Sequence, residues 1–467
     1  MQAEFAREVL GRLPLAEAVL TLWRWVADPL FLLSLFARHR GTSYEKVLSF
    51  GVLVQRIADA LLEHRGSGRK SFARAQKRGQ LETSVQAVYQ KLGRVPLELS
   101  EAWLAESTDR VWSVYPQAAL VAVPPSLQAF MVLVVDGKAI KRVAKRLKPL
   151  RGRKGGILGG KALVALELSR GLAVAMATDP DGETNEAKLV PALLPQVRAR
   201  MAGPRLWVAD RQFCDLRQTA AFAAEQDHFV VRYHPKTHFC PDATRPAQHG
   251  EDPQGRVWVE DWGWLGCERA KQRRFVRRLT LYRPGEETVI VLTDLLDAEQ
   301  YPANPLLALY LARWGIERVF QQITEVFHLQ ALIGTTPQGT VFQLAFCLLL
   351  YNLLQVVRAY VATAQARPPE TISTELLFDD VQRQLVALTE LVPPLTVAPL
   401  CAPFLSPDSL GQHLRRLLET VWTSRWLKAP AKKPKAPTTR QAIHGNQTSV
   451  YRLLVAYYQQ EVISLAQ

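Results

Sequence analysis

The segment from residue 126 to 235 constrains the fold most. Residues 131–135 (MVLVV) form a short apolar run that ends at Asp136 and suits a buried strand. Residues 162–168 and 172–177 are two more such runs, joined by Ser169, Arg170 and Gly171, which predicts a hairpin of adjacent antiparallel strands. Residues 184–201 read as a helix with polar caps at its start. Residues 205–209 (RLWVA) read as a fourth strand ending at Asp210, residues 216–225 as a helix, and residues 228–233 as a fifth strand. Three strands, helix, strand, helix, strand is the order of an α/β layer: a mixed sheet with helices on its faces.

The flanking segments have other rhythms. Before residue 126 the apolar positions recur at helical spacing, in Phe50, Val54, Ile57 and Leu61 and again in Val85, Val88, Tyr89 and Leu92. From 236 to 300, Val257, Val259, Trp262 and Trp264 sit among turn residues, and 275–282 and 288–293 are further strand candidates. A long helix is then expected from Asn304, with Pro305 at the first helical position, to about residue 329. A very apolar helix follows over about 340–361. The tail has a Pro-rich break near 367–370 and a KAPAKKPK linker over 428–435. Five regions follow: a helical region over 1–125, the first part of an α/β core over 126–235, a β-rich insertion over 236–300, a helical second part of the core over 301–365, and a C-terminal region over 366–467 as the candidate for dimerisation. The chain has 467 residues, where about 150 per domain would suggest roughly three.

Charge narrows the partners. The chain holds 58 Lys and Arg against 43 Asp and Glu, a net +15, which points to a polyanion, nucleic acid above all. Nine basic residues and no acid lie between Lys138 and Lys154, and six between Arg269 and Arg278; Lys432, Lys433 and Lys435 lie in the tail linker. Arg65, Arg69, Lys70, Arg74, Lys77 and Arg78 form a further basic stretch, which is either a solvated helix face or a DNA contact. The 48% hydrophobic content excludes disorder as the main state. Cys214, Cys240, Cys267, Cys347 and Cys401 are odd in number and form no CxxC pair, which excludes a disulfide scaffold and fits a reducing cytoplasm. No secretory signal is visible. The apolar run 344–357 is interrupted by Asn352 and Gln355, so a buried helix is expected and no membrane partner.

Three acids carry the chemistry. Asp136 and Asp210 each follow a buried strand, where an α/β sheet builds its sites, although a strand-end Asp can also simply open a turn. In YLARWGIERVF, Tyr310, Arg313 and Glu317 stand at i, i+3 and i+7 and share one helical stripe. A carboxylate and a guanidinium in that stripe form either a buried ion pair or the wall of a site. Carboxylates from three separate segments supply the oxygen donors that Mg²⁺ prefers. Two ions about 3.5–4 Å apart can activate a water or a 3′-hydroxyl and stabilise the leaving oxygen. Arg313 could then hold a phosphate in a forked geometry, with Tyr310 hydrogen-bonding nearby.

Asp136 after its strand, Asp210 in DRQFCD and the helix YLARWGIE resemble the DDE transposases of bacterial insertion sequences, closest to the IS-four type with its ribonuclease-H-like core. Tyr310, Arg313 and Glu317 match that family's Tyr, Arg, Glu spacing, while its lysine position is Thr324 and its usual Gly after the second Asp is Gln212. The resemblance covers about 126–362. It implies a ribonuclease-H-like mixed sheet with helices on both faces, a β-rich insertion and a helical N-terminal DNA-binding domain over 1–125. It implies Asp136, Asp210 and Glu317 as ligands of two Mg²⁺ ions, with Mn²⁺ as a substitute, and Arg313 and Tyr310 beside them. It implies an enzyme that binds terminal inverted repeats, cuts by metal-dependent hydrolysis and joins 3′-hydroxyls to target DNA, as a homodimer on paired ends. Trp258, Trp262 and Trp264 are either a platform for a flipped base or ordinary sheet aromatics. Three readings stand side by side: a transposase, a metal nuclease of the same core, and a captured DNA-binding protein without catalysis.

Overall fold

The computed structural model describes residues 2–45, 47–64, 66–266, 272–326, 329, 331, 333–393, 404–428 and 447–466. Arg65, Cys267, Arg269, Lys271, Cys401 and the linker lysines 432, 433 and 435 lie outside the described residues.

The chain opens with α1 (Gln2–Gly11), α2 (Pro14–Val26), α3 (Pro29–His39), α4 (Phe50–Leu62), α5 (Gly68–Lys77), α6 (Val85–Leu92) and α7 (Leu97–Trp112). Short polar side chains start several of them. Asp28 accepts from the Phe31 amide at 2.9 Å, Ser49 from Val52 at 3.2 Å and Ser84 from Ala87 at 3.2 Å, each satisfying a donor the helix leaves open. The spacing seen in the sequence becomes the core face: Phe50, Val54, Ile57 and Leu61 are all buried.

The core sheet follows as β1 (Met131–Ala139), β2 (Ile157–Leu158), β3 (Lys161–Glu167), β4 (Leu172–Asp179), β5 (Arg205–Ala209) and β6 (His228–Arg232). The strands lie in the order β4-β3-β1-β5-β6, while β2 belongs to a small separate pair. β1, β3 and β4 are antiparallel neighbours, and β1, β5 and β6 run parallel. This is the ribonuclease-H-like mixed sheet expected from the sequence. Between the parallel strands the chain crosses over through α8 (Val190–Arg200), entered by a 3-10 turn at Glu186–Leu189, and α9 (Leu216–Phe222). Residues 132–135 of β1 are buried one after another, so both faces of the sheet are covered.

Five strands come next: β7 (Phe239–Pro241), β8 (Gln248–Glu251), β9 (Val257–Leu265), β10 (Arg274–Leu281) and β11 (Val289–Thr293). They do not form a separate module. β11 pairs antiparallel with β6 through Val291↔Arg232, Leu292↔Val231 and Thr293↔Val230, so the β-rich insertion continues the core into one ten-stranded sheet among the described residues. The pairing covers what would otherwise be an open edge on β6.

The helical second part differs from the single helix expected over 304–329. It is two helices, α10 (Ala303–Ala312) and α11 (Trp314–Glu325), and it starts with Pro302 at the cap rather than Asn304. The break falls at Arg313, where the Arg313 amide bonds Tyr310 O at 3.0 Å and the Ile316 amide bonds Arg313 O at 3.0 Å. These tighter i→i+3 bonds replace the α-helical ones over one turn, just before Gly315, a poor helix former.

α12 (Pro337–Ala364) is buried along almost all of its length. It packs against α2, α7, α11 and β4, and against α13 (Thr374–Leu391) and α14 (Pro407–Leu418) of the C-terminal region. Among the described helices it is the one long and apolar enough to cross a membrane by itself, and its apolar window is wholly buried inside the protein. Last come β12 (Thr448–Ser449), parallel to β2, and α15 (Val450–Ala466).

Candidate active site

Asp136 does not end its strand, as the sequence reading had it. β1 runs on to Ala139, and Asp136 pairs with Val164 of β3. What ends there is the parallel pairing with β5, whose last partners are Val135 and Ala209. Asp136 and Asp210 are therefore the next residues on two neighbouring parallel strands, which lie about 4.8 Å apart. The sheet itself brings the first two acids together.

The break between α10 and α11 brings the third. Arg313 is 2% exposed, with Nη1 3.8 Å from Asp136 Oδ2 and Nη2 3.1 Å from Glu317 Oε1. Asp210 and Tyr310 also act on it electrostatically. Four of the residues singled out in the sequence thus act on the fifth, through the Arg313 guanidinium. Burial works against the charge on Arg313, but Tyr310, Asp210, Asp136 and Glu317 outweigh it and raise its pKa. Asp136 is pushed up to about 7, chiefly by burial, against the pull of Arg313 and of the Gly137 N–H, which donates to its Oδ1 at 2.9 Å. Burial likewise pushes Tyr310 up to about 12.

The donors are of the kind a hard cation takes. Asp136 and Glu317 lie within 3.8 Å of the Arg313 guanidinium, and Asp210 Oδ1 is buried with no hydrogen-bond partner among the described residues. Among those residues no three His, Cys, Asp or Glu side chains stand close enough to share one ion. Arg313 stands among the carboxylates and supplies the balancing charge.

Several neighbours escaped the sequence reading. Glu186, in the 3-10 turn before α8, lies over Gly137, so that a Cβ built there would fall inside its carboxyl group. Glu186 Oε1 is 3.0 Å from Lys161 Nζ, and Oε2 accepts from Gln212 Nε2. Lys138 Nζ donates to Phe320 O at 3.4 Å and sits over the Phe320 ring, on the helix that carries Glu317. Arg232 at the end of β6 is paired with Glu287 at 2.7 Å and lies in the electrostatic reach of Tyr310 and Asp210. In the sequence Glu186 looks like a helix cap and Arg232 like a strand end; nothing local signals their approach.

Other candidates are redistributed. Arg277 and Arg278 do not track phosphates: Arg277 is buried in an ion pair with Glu260, and Arg278 pairs with Asp261 at 2.5 Å. The cause is cross-strand placement on β9 and β10, which sets these acids beside them. Trp262 is buried with its indole N–H on Leu296 O at 3.0 Å, as an ordinary sheet aromatic. Trp258 is half-buried, whereas Trp264 is 38% exposed with Arg273 over its ring. Thr324, at the signature lysine position, turns its hydroxyl back onto Phe320 O at 2.6 Å.

Residues 128–353 match the family model described as "Transposase DDE domain". A protein of Sinorhizobium fredii (strain NBRC 101917 / NGR234) named "Putative transposase y4zB" is 23% identical over 252 residues, 50% of this chain and 67% of that one. Among solved structures, the piggyBac transposase synaptic complex with hairpin DNA aligns at 12% identity. It covers 91% of this chain and 78% of that chain, with a TM-score of 0.33.

Proposed function

We propose that the chain, whose residues 128–353 match a transposase DDE domain, is a DDE transposase of the bacterial insertion-sequence kind that cuts and joins the DNA ends of its own element. It binds the terminal inverted repeats, cleaves them by metal-dependent hydrolysis and transfers the 3′-hydroxyls to target DNA, working in the cytoplasm as a homodimer on paired ends. The observation that carries this reading is the meeting of Asp136, Asp210 and Glu317 at Arg313.

Asp136, Asp210 and Glu317 are the residues that would hold Mg²⁺, two ions in all, or Mn²⁺ in its place. Bound there, the metal supplies an activated water or 3′-hydroxyl and a stabilised leaving oxygen. With a cation bound to these carboxylates, Arg313 would be the fork that holds a DNA phosphate beside them. Tyr310 walls the same phosphate, and its pKa of about 12 keeps the hydroxyl protonated, a donor rather than a second anion. Lys138, two residues after Asp136, adds positive charge where the strand enters.

The test is Asp136→Asn with duplexes carrying the DNA that flanks the reading frame. Mg²⁺-dependent cleavage should fall by at least about 1000-fold while end binding persists. Undiminished cleavage would remove the assignment. Thr324 favours a second reading, in which the chain cuts but does not join, because no charge stands at that position to hold the cut end. Cleavage without strand transfer in the wild type would decide for it.

A further inference from the structure

α5 presents an exposed basic face to solvent. Its inner side, Ser71, Phe72 and Ala75, is buried. Its outer side carries Arg69, Lys70, Gln76 and Lys77, all exposed, with the small Ala73 among them. Among the described residues none of Arg69, Lys70 and Lys77 takes part in a salt bridge, although ion pairs are common elsewhere on this surface. Arg, Lys and Gln are the side chains that reach guanine and adenine edges in the major groove, and a small residue lets the helix approach closely. The helix is held in the way such a reading helix needs to be. α4 ends where the Gly66 amide closes back on Ala60 O at 2.8 Å, with Gly66 at φ +78°. α5 then starts on Ser67, whose side chain accepts from the Lys70 amide. Phe72 stacks edge-on against Tyr89 of α6 at 5.3 Å, which closes a three-helix unit.

The unit is also tied to the catalytic helix. A Cβ at Gly68 would lie 2.6 Å from Ile333 Cγ2, so the start of α5 is pressed against the segment that follows α11. Arg146 donates to Ile333 O at 3.4 Å, and Arg146 and Arg69 both lie in electrostatic reach of the Tyr89 hydroxyl. From Arg146 the exposed basic residues Lys145 and Lys141 lead back to Lys138 and Asp136. One positive strip thus joins the outer face of α5 to the site.

We infer that α5 is the helix this chain lays in the major groove of duplex DNA, with Arg69 and Gln76 reading bases and the 141–154 loop carrying the backbone on to Asp136. The inference rests on the transposase reading for what that DNA is, and its test needs no catalysis. The full-length protein, without metal, selects ligands from a randomised duplex library, and binding to the selected duplex is then followed against salt. Arg69→Ala and Gln76→Ala should each weaken binding by about 10- to 100-fold and relax preference at one position. Lys141→Ala with Lys145→Ala should weaken all sequences alike and lower the salt slope by roughly two. These side chains are exposed, so unchanged melting temperatures will certify folding. Selection of no sequence by the wild type, or the same sequence and affinity in Arg69→Ala/Gln76→Ala, overturns the inference. Failure of the transposase reading would look different: sequence-specific binding at α5 with no metal-dependent cleavage.

Discussion

The carboxyl group of Glu186 occupies the space in which a side chain at Gly137 would begin. Through Gln212 and Lys161 the same carboxyl is tied to the turn after Asp210 and to the start of β3. It is a strap across the two strands that carry the first two acids. Gly137→Ala must therefore push Glu186 aside, which costs about 1–3 kcal/mol in overpacking. It should also lower cleavage by about 100-fold, because the displaced Glu186 no longer ties Gln212 to Lys161 across the two acids. Melting temperature and cleavage rate check the two effects separately. Adding Glu186→Ala to Gly137→Ala should restore the melting temperature but not the rate.

Arg313 holds the carboxylates together before any metal arrives. Its removal in Arg313→Ala should destabilise the metal-free protein by about 1–2 kcal/mol, the cost of leaving Asp136 and the half-exposed Glu317 without their counter-charge. Mg²⁺ should then raise the melting temperature of the variant more than that of the wild type. Thermal melts at rising Mg²⁺ concentration measure this, and an equal gain in both proteins would refute it.

Glu63, at the end of α4, makes the N-terminal helices pH-sensitive. Burial and the neighbouring Asp59 push its carboxyl up to about 7, against Arg74, Arg56 and Arg78. Across the cleft it faces Asp379, Arg383 and Glu390 of α13. Below about 4.5 the group is protonated in both the folded and the unfolded chain. Between about 4.5 and 7 the folded chain keeps a proton that the unfolded chain has lost, so this group's contribution to stability falls as pH rises through that window. Glu63→Gln should flatten the slope and be more stable than wild type at pH 8 by roughly 1–3 kcal/mol. Chemical denaturation at a series of pH values will show it.

Two amides in α12 make opposite predictions. Asn352 Oδ1 accepts from the Ala173 amide at 2.9 Å, and its Nδ2 donates to Ala173 O at 2.8 Å and to the Thr108 hydroxyl at 2.9 Å. It completes the outer edge of β4 as a strand would. Asn352→Leu should cost about 3 kcal/mol by orphaning those buried groups. Gln355 is 1% exposed, and neither amide atom has a hydrogen-bond partner among the described residues. Gln355→Met should raise stability by about 1 kcal/mol or more. Paired urea titrations read both signs.

Much of this fold is legible in the sequence, for a local reason. Strands such as 205–209 and 228–232 are short apolar runs bounded by turn residues, so pattern alone locates them almost to the residue. The stripe of Tyr310, Arg313 and Glu317 is legible only in part, because its spacing implies one continuous helix and the chain divides at Arg313 into α10 and α11. What stayed hidden depends on groups far apart in the chain. β11 closes on β6 across some sixty residues, and no local pattern distinguishes that from a free-standing insertion. The break at Arg313 sets its guanidinium beside Asp136 of β1, a partner far away in the chain, and Glu186 meets Gly137 only because β3 and β4 turn the chain back.

The burial of α12 on every side bears on how this protein can be divided. A fragment cut at residues 126 and 365 would keep the sheet and the three acids, yet would strip that helix of α2, α7, α13 and α14. Its Leu, Phe and Val side chains would face water, and the fragment would precipitate. The smallest soluble catalytic unit has to include helices from both ends of the chain.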